Sequence, residues 1–107
     1  MQDREYDEIV ENLFIAIEDE IDELDADVDV DSTAGMLTLE FPDGSSVVLS
    51  RQIANHEVWV AAKSGGFHLS YDGGGWLCGT TSEAVGELLN RVFTEQLNQA
   101  ITSFESI

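Results

Sequence analysis

Ile21-Asp22-Glu23-Leu24-Asp25-Ala26-Asp27-Val28-Asp29-Val30-Asp31 is where the chain changes period. Upstream, Tyr6, Ile9, Val10, Leu13, Ile17, Ile21 and Leu24 recur at steps of three and four. That spacing predicts a helix from about residue 3 to residue 24, with one apolar stripe and Phe14 at its edge. From Asp27 the pattern alternates, which predicts a strand with Val28 and Val30 on one face and the aspartates on the other.

Further strands are predicted at Met36–Phe41 and Ser46–Ser50, joined by the turn Pro42-Asp43-Gly44, in which Pro presets φ and Gly allows positive φ. Val58–Ala62 and Phe67–Tyr71 flank Ser64-Gly65-Gly66, and Trp76–Cys78 follows Asp72-Gly73-Gly74-Gly75. Such a series reads as an antiparallel meander. Thr80-Thr81-Ser82-Glu83 has the form of a capping box, with Thr80 as N-cap. Val85, Leu88, Leu89, Val92 and Phe93 give a second helical stripe, which Gly86 weakens slightly. Ile101, Phe104 and Ile107 suggest that the tail packs as well. The expected fold class is α+β: two terminal helices on one face of an antiparallel sheet of about six strands, in a single domain over 1–107.

Charge is distributed unevenly. Residues 1–31 hold fourteen acids and one base, Arg4; the other seventy-six hold eight acids and three bases. The net charge of −18 therefore divides into −13 and −5. A concentrated anionic surface calls for a cationic partner and argues against nucleic acid or an anionic membrane. No apolar run reaches about 18 residues. Met1-Gln2-Asp3-Arg4-Glu5 lacks a signal-peptide core. The single cysteine, Cys78, fits a reducing compartment, so a cytoplasmic location is expected.

On a helical wheel, Glu11, Glu18, Asp22 and Asp25 fall within about 60° of one another, on a ridge opposite the apolar stripe. Asp19 and Glu23 flank it, and Asp27, Asp29 and Asp31 repeat about 6.8 Å apart along the strand. Side by side, the two rows would form one acidic ledge. Hard cations choose such oxygen ligands. Carboxylates about 6 Å apart supply only one or two ligands per ion, so weak, hydrated and unselective sites are expected, with affinities on the order of 10⁻⁵–10⁻³ M. Asp25-Ala26-Asp27-Val28-Asp29 opens like an EF-hand loop, but Val30 stands where glycine is needed and Met36 where a bidentate glutamate is needed.

Trp59 between Val58 and Val60 should face the bare side of the sheet if the valines face the helices, as an interface anchor would. Arg51 and Gln52 close a strand; Arg51 is expected in an ion pair or at a partner surface. His56 and His68 lie too far apart in sequence for a zinc motif, and Cys78 is expected to be a buried thiol. No catalytic residue is assigned: no triad, H-E-x-x-H or phosphate loop is present.

Ser50-Arg51-Gln52-Ile53-Ala54-Asn55-His56-Glu57-Val58-Trp59-Val60-Ala61, with Gly65-Gly66-Phe67-His68-Leu69 after it, resembles the N-R-Q-x-P-x-x-Q-[IV]-W segment and G-G-[YF]-H-[FL] hairpin of the frataxin family, bacterial CyaY type. The likeness spans essentially the whole chain. It departs at Ala54 (usually proline), at Glu57 (usually glutamine) and at a turn near Ala34-Gly35 that is about two residues short. The resemblance implies a frataxin-like sandwich that regulates iron–sulfur cluster assembly without being an enzyme. It implies weak surface binding of iron (Fe²⁺/Fe³⁺), for which other divalent or trivalent cations can substitute. It further implies docking of the acidic ledge on a cysteine desulfurase, and contact of the open sheet at Trp59 with the iron–sulfur scaffold; Glu18, Asp19, Asp22, Arg51, Gln52 and Trp59 are the expected partner-binding residues. A monomer is expected, with metal-induced oligomers as the alternative. Rival functions are an acidic decoy for a nucleic-acid groove and a weak ferroxidase or iron store.

Overall fold

A computed structural model describes residues 1–33 and 35–107. Helix α1 (Asp3–Glu23) leads into β1 (Asp29–Thr33), β2 (Met36–Glu40), β3 (Ser46–Gln52), β4 (Glu57–Ala62), β5 (Gly65–Tyr71) and β6 (Trp76–Cys78). Helix α2 (Val85–Leu97) follows. The six strands form one antiparallel meander in the order β1-β2-β3-β4-β5-β6. The expected α+β architecture is therefore present. The short turn expected near Ala34-Gly35 turns on Ala34, which lies outside the described residues.

Alternation puts Leu37, Leu39, Val47, Leu49, Val58, Val60, Leu69 and Trp76 on the buried face. Tyr6, Val10, Leu13, Phe14, Ile17 and Ile21 of α1 join the same core as Val85, Leu88, Leu89, Val92 and Phe93 of α2. Burying each large apolar side chain contributes roughly 1.5–3 kcal/mol. Tyr6 also ties α1 to the sheet: its hydroxyl accepts the Gln52 N–H (2.9 Å) and donates to the Glu57 carbonyl (2.5 Å). One side chain thereby joins the end of β3 to the start of β4.

Helix α2 starts four residues later than expected, and only half of a capping box is present because Ala84 has no side-chain acceptor. The N-cap is Ala84, whose N–H donates to Glu87 at N3 (3.0 Å). Thr80–Glu83 instead turns the chain back along β6, with Cys78 N–H bonded to the Glu83 carbonyl and Leu77 bridged to Ala84. Ser82 takes φ 63° in that turn. Glu83 pairs with Arg91 (2.8 Å), and hydrogen bonds from that guanidinium hold its carboxyl below the usual range. The β4–β5 hairpin also shifts: Ala62 pairs with Gly65, so Lys63-Ser64 is the turn and both glycines belong to the strand.

Gly86 has a packing role that helix propensity does not suggest. The tail returns over α2, burying Ile101 and Phe104, and Phe104 N–H donates to Asn90 Oδ1 (2.9 Å). A Cβ at Gly86 would lie 2.2 Å from the Phe104 carbonyl oxygen. Backbone cannot retreat from that contact without moving the tail. Propensity alone would make Gly86→Ala stabilising by about 1 kcal/mol. We expect the opposite, a loss of about 1–3 kcal/mol from overpacking, read from the urea midpoint. A variant as stable as the parent would show that the tail does not pack this closely.

Candidate functional site

The acidic segment is held by three different kinds of backbone. Glu11, Glu18, Asp19, Asp22 and Glu23 lie on α1, which ends at Glu23. Leu24 is already extended (φ −78°, ψ 126°), so Asp25 stands outside the helix and not on its ridge as the wheel implied. The reason is local: Leu24 packs against the core, and the helix's negative end carries no base in its last turn. The chain then makes two tight bonds, Ala26 N–H to the Leu24 carbonyl and Val28 N–H to the Ala26 carbonyl. Asp25 and Asp27 are exposed while Leu24, Ala26 and Val28 are half-buried. The alternation read from the sequence is thus real in exposure, but Asp27 and Val28 precede β1 and belong to no strand. Val30, opposite Leu39, faces the helix side but is 37% exposed at the sheet's edge.

The helix row is also displaced from where the wheel put it. Arg51, whose ladder partner is the buried Val58, rises on the helix side of β3. It pairs with Glu11 (2.7 Å) and Asp7 (3.3 Å) and lies over the Phe14 ring at 5.5 Å. Glu11 and Glu18 therefore sit on the flank of α1 toward β1–β3 rather than opposite the stripe, and Glu18 is half-buried. Asp29 and Asp31 face the other way: they pair with Glu40 and Thr38, on the open side of the sheet. The two rows flank the edge strand β1 from opposite faces, so the ledge is folded over an edge.

Ion pairing sharpens the picture. Arg4 pairs with Glu8, Arg51 with Asp7 and Glu11, Lys63 with Asp43, and Arg91 with Glu83 and Glu95. His56 meets Asp3 at 2.8 Å. All four Lys and Arg side chains are thus engaged inside the chain. From Glu18 to Asp31 there are nine acids and no base, and none of the nine has a basic partner within 4.0 Å among the described residues. Glu11, by contrast, is partly neutralised. Asp7, one turn before Glu11 on the same row, was missed as a participant, although its i, i+4 spacing marked it. Glu20 was also missed; it lies toward the buried side and is half-exposed. Among the described residues, no three His, Cys, Asp or Glu side chains converge on one point that could hold an ion.

The second element is the open face. Val58 and Val60 are buried, so Trp59 points away from the helices, as expected. Its ring stacks on His68 (centroids 4.4 Å, planes 9° apart), and its indole N–H donates to Glu57 Oε1 (2.9 Å). Ser70 donates to the other Glu57 oxygen at 3.4 Å. Gln52, the ladder partner of Glu57, lies at the same end of the sheet. Arg51 does not reach this face. His56, at φ 52°, packs on the Tyr6 ring 12 residues from His68 and on the other side of the sheet. Cys78 is buried, 3.5 Å from the Thr80 hydroxyl.

The family model described as "Frataxin-like domain" matches residues 1–99. A relative from Stutzerimonas stutzeri (strain A1501), named iron-sulfur cluster assembly protein CyaY, is 42% identical over 109 aligned positions, covering 100% of this chain and 98% of its own. The protein of that name from Azotobacter vinelandii (strain DJ / ATCC BAA-1303) is 41% identical over 98 positions, 90% of this chain and 89% of its own. Frataxin from Psychromonas ingrahamii, a solved structure, superposes with a TM-score of 0.89 at 30% identity, covering 96% of this chain and 98% of that one.

Opposite signs are expected for two neutral substitutions on one helix. Asp22→Asn removes repulsion and an unfavourable charge at the helix's negative end, worth a few tenths of a kcal/mol to about 1. Its melting temperature should rise by roughly 1–5 °C. Glu11→Gln withdraws a partner from the half-buried Arg51 and should melt lower. Added salt or a divalent cation should raise the melting temperature of the parent. Two variants shifting in the same direction would mean that the pairing at Arg51 does not divide the ridge.

Proposed function

The chain belongs to the frataxin-like family, and on that footing we propose that it is an iron-binding regulator of iron–sulfur cluster assembly. The observation that carries this reading is the run from Glu18 to Asp31, nine carboxylates without a base. Such a surface attracts cations and basic protein surfaces through the same charges. Its relatives are named as iron–sulfur cluster assembly proteins, and that naming chooses among the cationic partners.

Iron here is cargo, and the donor set fits it loosely. Carboxylate oxygens are hard ligands suited to Fe²⁺ and Fe³⁺. They are spread over a helix flank, a turn and an edge strand, so each ion takes one or two of them and keeps water on its remaining positions. Affinities on the order of 10⁻⁵–10⁻³ M follow from such partial shells. Glu18, Asp19, Asp22 and Glu23 on α1, with Asp25, Asp27, Asp29 and Asp31 beyond it, form the binding region. Glu11 contributes less, because Arg51 already holds it.

The basic partner is a cysteine desulfurase, met by Glu18, Asp19 and Asp22. The scaffold protein meets the open face at Trp59 and Gln52, while Arg51 acts indirectly by holding α1 on β3. Cation and desulfurase draw on shared carboxylates, so each shifts the other's affinity by the same factor. The protein acts through binding and not through a catalytic group of its own.

A pull-down of the desulfurase with and without Fe²⁺ tests this directly. Affinity should fall about tenfold or more as salt rises from roughly 50 to roughly 300 mM, because the charges are exposed. An Asp19→Asn/Asp22→Asn variant should bind more weakly and show a shallower salt slope, and Fe²⁺ should shift the parent's affinity. Binding indifferent to salt and to both substitutions would overturn the docking mode.

A further inference from the structure

Among the described residues, Trp59 is the one aromatic ring on the open face with a side left uncovered by its stacking partner His68. Across the sheet, Thr33, Met36, Ser50, Trp59 and His68 are successive ladder partners on β1 to β5. Strands lie about 4.8 Å apart, so Met36 and Trp59 stand roughly 10 Å apart with Ser50 between them. His68 covers one face of the indole. The other face turns toward Ser50, the smallest side chain of the row apart from its neighbours' edges, and Met36 beyond it is 44% exposed. A shallow depression of about 180 Å³ opens here, lined by Val48, Ser50, Trp59, Ala61 and His68. The depression runs from the Trp59 ring over Ser50 toward Val48, Ala61 and Gly66, so the indole is the wall against which one planar group can lie.

Charge specifies what kind of planar group. Asp29, Asp31, Glu40 and Glu57 face this side. No Lys or Arg does among the described residues: Arg51 lies on the helix side, Lys63 in the β4–β5 turn, and Arg4 and Arg91 on the helices. Glu57 is the nearest acid. One of its oxygens fixes the indole N–H, and the other has only the long contact to Ser70 on β5, so it retains acceptor capacity beside the ring. A planar cation that stacks on an aromatic face and donates to a carboxylate is a guanidinium. A lysine ammonium has the charge but not the plane.

We infer that the open face carries a slot for one arginine side chain of a basic partner protein, stacked on Trp59 over Ser50 and anchored by Glu57. The inference rests on the reading that this face meets a partner, and it names the chemistry of that contact.

The test uses the whole protein and a blocked Gly-Arg-Gly peptide, with the lysine and citrulline counterparts as comparisons. The readout is the indole N–H resonance of Trp59, with the buried Trp76 as internal reference. The arginine peptide should move the Trp59 signal saturably and about threefold or more tighter than lysine, with citrulline weaker still. Glu57→Gln keeps an acceptor for the indole but removes the charge, and should weaken the arginine response about fivefold. Ser50→Leu should fill the slot and abolish it. An Asp22→Asn/Asp25→Asn variant should leave it unchanged. Equal arginine and lysine responses, no effect of Glu57→Gln, or a response lost with the Asp22/Asp25 variant would overturn the slot. In each of those cases salt-dependent binding of the desulfurase could persist, so the two readings fail separately.

Discussion

The apolar stripe of α1 has to hold in place a helix whose remaining surface repels itself. Tyr6, Val10, Leu13, Phe14, Ile17 and Ile21 are all 5% exposed or less, and they meet both the sheet and the α2 side of the core. Their burial outweighs like-charge pairs that cost a few tenths of a kcal/mol each. As an isolated peptide the same segment would have neither the core nor a favourable dipole at its C-terminal end. The anionic surface therefore exists as an ordered feature only because the sheet is beneath it. Tyr6, bonded to Gln52 and Glu57, fixes where along the sheet the helix begins.

The second constraint is the scarcity of bases. Four Lys and Arg residues face twenty-two acids. Arg51 is placed under the first half of α1, where it joins Asp7 and Glu11 to β3 and packs over Phe14. Arg91 is placed on α2, where it holds Glu83 and lies over Phe67. Each therefore stabilises the fold through packing as well as charge. Nothing is left for residues 18–31. The division of α1 into a largely compensated half and an uncompensated half follows from that placement. The two rows flanking β1 give that charge two aspects, one along the helices and one on the open sheet.

The open sheet face is sparsely furnished. Glycine at position 66, serines at 46, 50 and 70, and Ala61 keep it low, and Trp59 stands above them. Glu57 and His68 restrict that ring from two directions, so the indole is preorganised before any partner arrives.

The sequence by itself determined the element order, the meander, the two apolar stripes, the bare-side position of Trp59 and the crowding of acids before residue 32. These are properties of local period and composition. Tertiary structure decided the rest, because it rests on contacts between residues far apart in the chain. Asp25 left the helix because Leu24 turns into the core. Thr80–Glu83 became a turn along β6, although its spacing matched a helix start, and Glu83 went to Arg91. Gly86 looked like a weak point in a helix until the Phe104 carbonyl closed over it. Glu11 and Glu18 belong to one row on a wheel, yet Arg51, forty residues beyond Glu11, neutralises one and not the other. Periodicity fixes which side of an element a residue occupies. Only the packing of those elements fixes which charges find partners and which stay free.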